Sequence, residues 1–125
     1  FSAIVARSMA MHESDTSPIM EMIQSVALKS FYGRTEEGNR MIIISDMIEN
    51  TQRYSQYQST PDFSEFSQTG YYGSVRTDLS NIRFDLLYLS RESTQRIQTK
   101  RHALFWTEYL LDQGGNLNTI EKVDG

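Results

Sequence analysis

Cysteine is absent from this chain, and proline occurs only twice. Without cysteine there is no disulfide scaffold, no thiolate metal site and no cysteine nucleophile. Long apolar runs are also missing. A run such as Met41-Ile42-Ile43-Ile44 is far shorter than the roughly 20 residues that a membrane-spanning helix needs, so we expect no membrane span in this segment.

The residues that are present suit one small folded domain of 125 residues. Seven Tyr, six Phe and one Trp are enough to fill a core, which argues against disorder. Sixteen acidic against twelve basic residues give a net charge of −4, so we expect no nucleic-acid partner. The chain begins at Phe1 without a methionine and ends directly after an apolar segment. We interpret both ends as cuts within a larger domain.

The order of hydrophobic patterns predicts an α/β fold. Helices are predicted over 1–12, between Pro18 and Gly33, and over 99–113; strands over 40–46, 82–90 and 117–123; and a long polar loop over 51–80. Strand–helix–strand units form parallel sheets with right-handed crossovers. The strand 40–46 is apolar on both faces, which favours helices on each side of it. We therefore predict a three-layer, doubly wound, mostly parallel sheet of the Rossmann-like kind.

Asp46 is the sharpest candidate for a functional residue, because it follows the most apolar strand. Open α/β sheets bind ligands beyond the carboxyl ends of their strands. The alternative is that Asp46 only caps the turn that follows. Glu49 lies three residues later and could face the same loop, or could be an ordinary solvated carboxylate.

Several catalytic patterns are missing. His12 and His102 are far apart and belong to no zinc motif, and there is no Gly-x-Ser-x-Gly elbow, Walker A loop or Gly-x-Gly-x-x-Gly fingerprint. The basic residues Arg91, Arg96 and Lys100–Arg101 are interpreted as a solvated face.

The run from Arg40 to Asn50 resembles the fourth strand of a von Willebrand factor A-like domain, in which an apolar strand ends in Ser/Thr-Asp beside a metal site. Asp15-Thr16-Ser17-Pro18 and the helix after it are similar to the threonine-bearing loop of that family. The strand 82–90, the helix that contains Phe105–Tyr109 and the strand 117–123 fit the last strand–helix–strand of the fold. The resemblance covers most of residues 14–123 and implies the C-terminal portion of such a domain.

The resemblance also implies a metal-ion-dependent adhesion site. Asp46 and either Thr16 or Ser17 would be its metal ligands, with Glu49 and Asn50 as binding residues. The family's Asp-x-Ser-x-Ser loop is absent from the sequence. Two oxygen ligands are too few for a hard divalent ion, which takes about six. We therefore expect this chain to bind no metal tightly, although an intact parent would be able to hold Mg²⁺ or Mn²⁺.

The implied function is non-catalytic protein binding through a partial adhesion site, with a protein partner. The alternatives are a small doubly wound hydrolase or phosphotransfer domain that uses Asp46, and a metal-free structural module. In the family the first strand lies beside the fourth. Its expected absence predicts an exposed edge on the strand 40–46 and homo-oligomers formed through that edge.

Overall fold

The computed structural model describes residues 2–7, 16–31, 38–58 and 62–124, the first of these ranges by its backbone alone. The strands are β1 (Ser2–Arg7), β2 (Asn39–Ser45), β3 (Ile82–Ser90) and β4 (Asn116–Asp124). The helices are α1 (Ile19–Val26), α2 (Phe63–Phe66), α3 (Gly70–Val75) and α4 (Lys100–Asp112). A π-helix over Ala27–Phe31 continues α1, and a 3₁₀ turn spans Glu92–Thr94.

The four strands form one parallel sheet in the order β1-β2-β3-β4. An α/β fold with a parallel sheet was predicted and is confirmed. Each strand pairs with its neighbour in the chain, so every crossover moves in the same direction. Right-handed crossovers of that kind place all connecting helices on one face of the sheet.

The edge of β2 is not exposed, and the prediction that it would be is wrong. β1 pairs along β2 from Ser2 opposite Asn39 to Arg7 opposite Ile44, and β3 pairs along its other side. Residues 2–7 were predicted to be helical. They contain the β-branched residues Ile4 and Val5 in a short apolar run, which suits a strand. Self-association through a free 40–46 edge therefore has no structural basis.

The two faces of the sheet differ in burial. On β2, Met41 and Ile43 are fully buried, whereas Ile42 and Ile44 are only partly buried. On β3 the residues under the helices are buried, and on the other side Leu87 and Leu89 are partly exposed while Asp85 is buried. The buried side chains share one core with residues of all four helices. We call the opposite side the helix-free face; its aliphatic residues include Ile42, Ile44, Leu87, Leu89 and, beside Leu89, Val123 on β4. The described residues supply no second helix layer on that face.

The stretch 51–80, predicted as a long polar loop, contains two short helices that pack into the core. Phe63, Phe66 and Tyr72 are buried, and the Phe66 ring lies 5.3 Å from that of Phe105 on α4. Few aromatic residues among many polar ones are enough to anchor the segment, because each buries a large apolar area. The many polar residues around these aromatic side chains leave no regular hydrophobic period from which the two helices could be predicted.

The two longer helices lie where the sequence predicted them. Thr99 caps α4 by accepting a hydrogen bond from the His102 amide, and Gly114 follows the helix with φ +93°. A positive φ strongly favours glycine, which explains the sharp end of α4. The end of the first helix at Gly33 lies outside the described residues.

Candidate functional site at the carboxyl edge of the sheet

The chain turns sharply after β2. The Ser45 hydroxyl accepts a hydrogen bond from the Met47 amide at 2.9 Å, and Oδ1 of Asp46 accepts one from the Ile48 amide at 3.0 Å. Met47 is fully buried with φ +58°, a left-handed conformation that costs a non-glycine residue about 1–2 kcal/mol. Asp46 thus shapes the turn with its own side chain. We call residues 45–50 the β2 loop.

Asp46 is enclosed rather than presented to solvent. Its side chain has no exposed area, and its second oxygen lies 3.6 Å from the guanidinium of Arg91. Burial raises the pKa of Asp46, while the Ile48 amide and Arg91 act in the opposite direction. The carboxylate is held by the protein's own groups.

Side chains from distant parts of the chain bind the backbone of the β2 loop. Gln98 donates to the Asp46 carbonyl at 3.1 Å, and the Trp106 indole donates to the Met47 carbonyl at 2.7 Å. The Gln56 side chain accepts from the Glu49 amide at 2.9 Å. Gln56 and Gln98 were not predicted as functional residues, because a polar residue in a polar stretch carries no sign that it will be buried.

Glu49 caps α1 from outside the helix. Its Oε1 accepts a hydrogen bond from the Met20 amide at 3.0 Å, and its Oε2 accepts one from the Tyr71 hydroxyl at 2.8 Å. The cap position itself is Pro18, which has no side-chain acceptor. Glu49 is fully buried, and burial raises its pKa to about 7 against the opposing effect of these hydrogen bonds. The alternative of a solvated carboxylate is therefore wrong.

Ser17 and Asn50 lie side by side, whereas Thr16 is exposed. The Ser17 amide donates to the Asn50 carbonyl at 2.8 Å, and the Asn50 amide donates back to the Ser17 carbonyl at 3.1 Å. This bridge fastens the segment before α1 to the β2 loop. The Ser17 hydroxyl is buried and makes no hydrogen bond within the described part of the chain.

His102 lies behind the β2 loop, with no exposed surface. Its Nδ1 contacts the Tyr88 hydroxyl, and its Nε2 lies 3.0 Å from the Gln56 side-chain oxygen. A neutral ring that carries its proton on Nε2 satisfies both contacts, since Gln56 accepts there and Tyr88 donates to Nδ1. Burial lowers the pKa of His102 to about 4, which keeps the ring neutral near pH 7.

The described residues do not fit a divalent cation at Asp46. One carboxylate oxygen is used by a backbone amide, and the other faces the positive charge of Arg91. Within the described ranges no three His, Asp or Glu side chains converge in a way that could hold a metal. That this chain binds no metal tightly remains a prediction.

No protein family, curated protein or solved structure matches this chain. None of the helices in the described part of the chain is long and apolar enough to cross a membrane.

Proposed function

We propose that this chain is a non-catalytic protein-binding module. The observation that carries the proposal is the helix-free face, where aliphatic side chains of the two central strands remain partly exposed. Contiguous apolar surface of this kind marks interaction sites on soluble proteins. The likeness to a von Willebrand A-like domain, itself a binding fold, points the same way.

The partner that suits this face is an amphipathic helix. Parallel sheets occur almost only with both faces covered, and the usual cover is helical. Ile44 and Leu87 are direct neighbours in the register, as are Ile42 and Asp85. A partner helix laid across them would add a third layer, on the opposite side of the sheet from the chain's own helices.

The charged residues beside the aliphatic side chains of the helix-free face favour a partner helix of one charge. Arg40 and Arg83 are neighbours at the amino end of the same face, and Arg40 is paired with Asp85. Arg83 is exposed. An acidic residue beyond the apolar stripe of the partner helix would meet Arg83, so we expect an acidic amphipathic helix to bind better than a basic one.

The enclosure of Asp46 favours binding over phosphoryl chemistry. A nucleophile or a general base must come within hydrogen-bond reach of its substrate. Asp46 has no exposed side-chain area and already makes a turn hydrogen bond. The β2 loop therefore serves the architecture of the module in this proposal.

The test uses two synthetic amphipathic helical peptides of about 15 residues, long enough to cross four strands, one with Leu and Glu and one with Leu and Lys. Affinity is measured by fluorescence anisotropy. We expect the acidic peptide to bind more tightly, and the double variant Ile44→Asp/Leu87→Asp to lose that binding by at least about tenfold.

Leu104→Asp is the matched control, because Leu104 is 55% exposed on α4, which packs on the other face of the sheet. It should bind the peptide as the wild type does. No binding by the wild type, or equal loss in both variants, would overturn the proposal.

A further inference from the structure

We infer that Glu49, Tyr71 and Glu21 form a pH-responsive clasp that fastens the β2 loop to the N-terminus of α1. The inference concerns a different part of the molecule from the proposed docking face and does not depend on it. It rests on one hydrogen-bonded chain of three side chains from three elements.

The clasp joins a buried carboxylate to the surface. Tyr71 on α3 donates to Oε2 of Glu49 at 2.8 Å, and the same hydroxyl lies 3.5 Å from Oε1 of Glu21. Glu49 has no exposed area, whereas Glu21 is exposed on the first turn of α1. The Tyr71 hydroxyl is thus the link between the buried acid and solvent.

Glu49 has no counter-charge in the part of the chain that the structure describes. Within the described residues no Lys, Arg or His forms an ion pair with it. The charged form is supported by dipoles: the amides of Ile19 and Met20 at the start of α1 and the Tyr71 hydroxyl. A buried carboxylate without a cation is poised to take up a proton, because burial disfavours the charge.

Apart from Arg53, the described titratable and charged groups near Glu49 are acidic or neutral. Glu21 lies on α1, and Tyr71 lies on α3 with Arg53 stacked 5.0 Å from its ring. Tyr54 and Tyr109 are also near Glu49, and the neutral His102 lies behind Gln56. Asp46 belongs to the same loop as Glu49. The charge on Glu21 opposes a charge on Glu49. Arg53 is exposed and lies over Tyr71 rather than over the carboxylate.

Proton uptake reverses the direction of the hydrogen bonds in the chain. Water supplies one proton to Glu49, whose new hydroxyl donates to the Tyr71 oxygen. The Tyr71 hydroxyl then turns to donate to Glu21. The net change is one proton gained by the protein, and the Met20 amide keeps an acceptor in both states because Oε1 is still a carbonyl oxygen.

The two states differ in how firmly the loop is held. In the neutral state no charge is buried at Glu49, and the clasp is closed. In the charged state burial of the carboxylate is costly, so local opening of the β2 loop from α1 becomes easier. Raising the pH through the pKa of Glu49, about 7, therefore loosens the contact between loop and helix.

The experiment follows Glu49 in the full chain by carbon-detected NMR with labelled glutamate side chains, and the Met20 amide in the same samples, from pH 4 to 9. The Glu49 signal is assigned by its absence in Glu49→Gln. We expect the carboxyl carbon and the Met20 amide to titrate together near the pKa of about 7. Glu65→Gln, which removes an exposed carboxylate on α2, is the control and should leave both curves in place.

Tyr71→Phe keeps the test decisive if Glu49→Gln does not fold. Loss of the hydroxyl removes a donor to the charged form, so the Met20 midpoint should move upward by about half a unit or more. A midpoint below about 5.5, closer to the usual range of glutamate, would overturn the inference. So would a Met20 midpoint that stays in place in Tyr71→Phe.

Discussion

Gln98 is the residue on which most of the carboxyl edge depends. Its amide nitrogen donates to the carbonyls of Leu89 at 2.7 Å and Asp46 at 3.1 Å, which join the ends of β3 and β2. Its oxygen accepts from the Arg91 amide and from the Thr94 hydroxyl. One side chain therefore satisfies four polar groups, two of them carbonyls at strand ends.

We predict that Gln98→Leu lowers the free energy of unfolding by about 2–4 kcal/mol, because each buried polar group left without a partner costs about 1–3 kcal/mol. Urea denaturation measures the loss. Gln95→Leu, on an exposed position three residues away, is the control and should change stability by less than about 0.5 kcal/mol. Equal effects in the two variants would contradict this role of Gln98.

Asp46 and Glu49 show which features of single residues could be predicted from the sequence and which could not. The apolar strand 40–46 made Asp46 visible as a residue at a strand end, and the structure places it there, in the turn it helps to form. What Glu49 binds could not be predicted, since its partners Met20 and Tyr71 are 29 and 22 residues away. Contacts over such distances depend on the packing of whole elements.

Among the elements, β2 has two unequal faces although its residues 41–44 are apolar without a break. Ile43 lies under the helices and is fully buried, while Ile44 lies on the helix-free face and is partly exposed. Burial on both faces was predicted from composition, because a run of apolar residues shows no alternation. The order of the strands decides which face of the sheet the helices cover. The sequence of β2 alone does not show that order.

Two matched variants on β2 test this difference. We predict that Ile43→Ala lowers the free energy of unfolding by about 2–5 kcal/mol, the range for a fully buried aliphatic residue. Ile44→Ala should cost less than half as much, since part of its side chain already meets water. The measurement is urea denaturation of both. If Ile44→Ala costs as much as Ile43→Ala, the second face is covered in solution.

For the molecule as a whole, two buried groups oppose each other as the pH changes. Glu49 has its pKa raised from 4.5 to about 7, so the folded state binds more protons and stability falls as the pH rises between these values. His102 has its pKa lowered from 6.5 to about 4, so the unfolded state binds more protons and stability rises with pH in that window. From pH 4.5 to 6.5 the two effects have opposite sign.

The wild-type protein should therefore gain less stability than Glu49→Gln between pH 4.5 and 6.5, and should lose stability toward pH 7 as Glu49 continues to titrate. In Glu49→Gln the rise that comes from His102 is no longer opposed by Glu49, so stability should rise across the same window relative to the wild type. Urea midpoints in a series of buffers at constant ionic strength measure both profiles. Parallel profiles for the two proteins would contradict the opposing titrations.

The strand order also bears on how this sheet can assemble. Because every strand pairs only with strands adjacent to it along the chain, no pairing has to wait for a distant segment. Each parallel pair still needs a crossover between its strands, but the entropy of closing a loop grows only slowly with the length of the loop. During synthesis each new strand can add to the one already in place. The growing edge of the sheet is then always the most recently made strand.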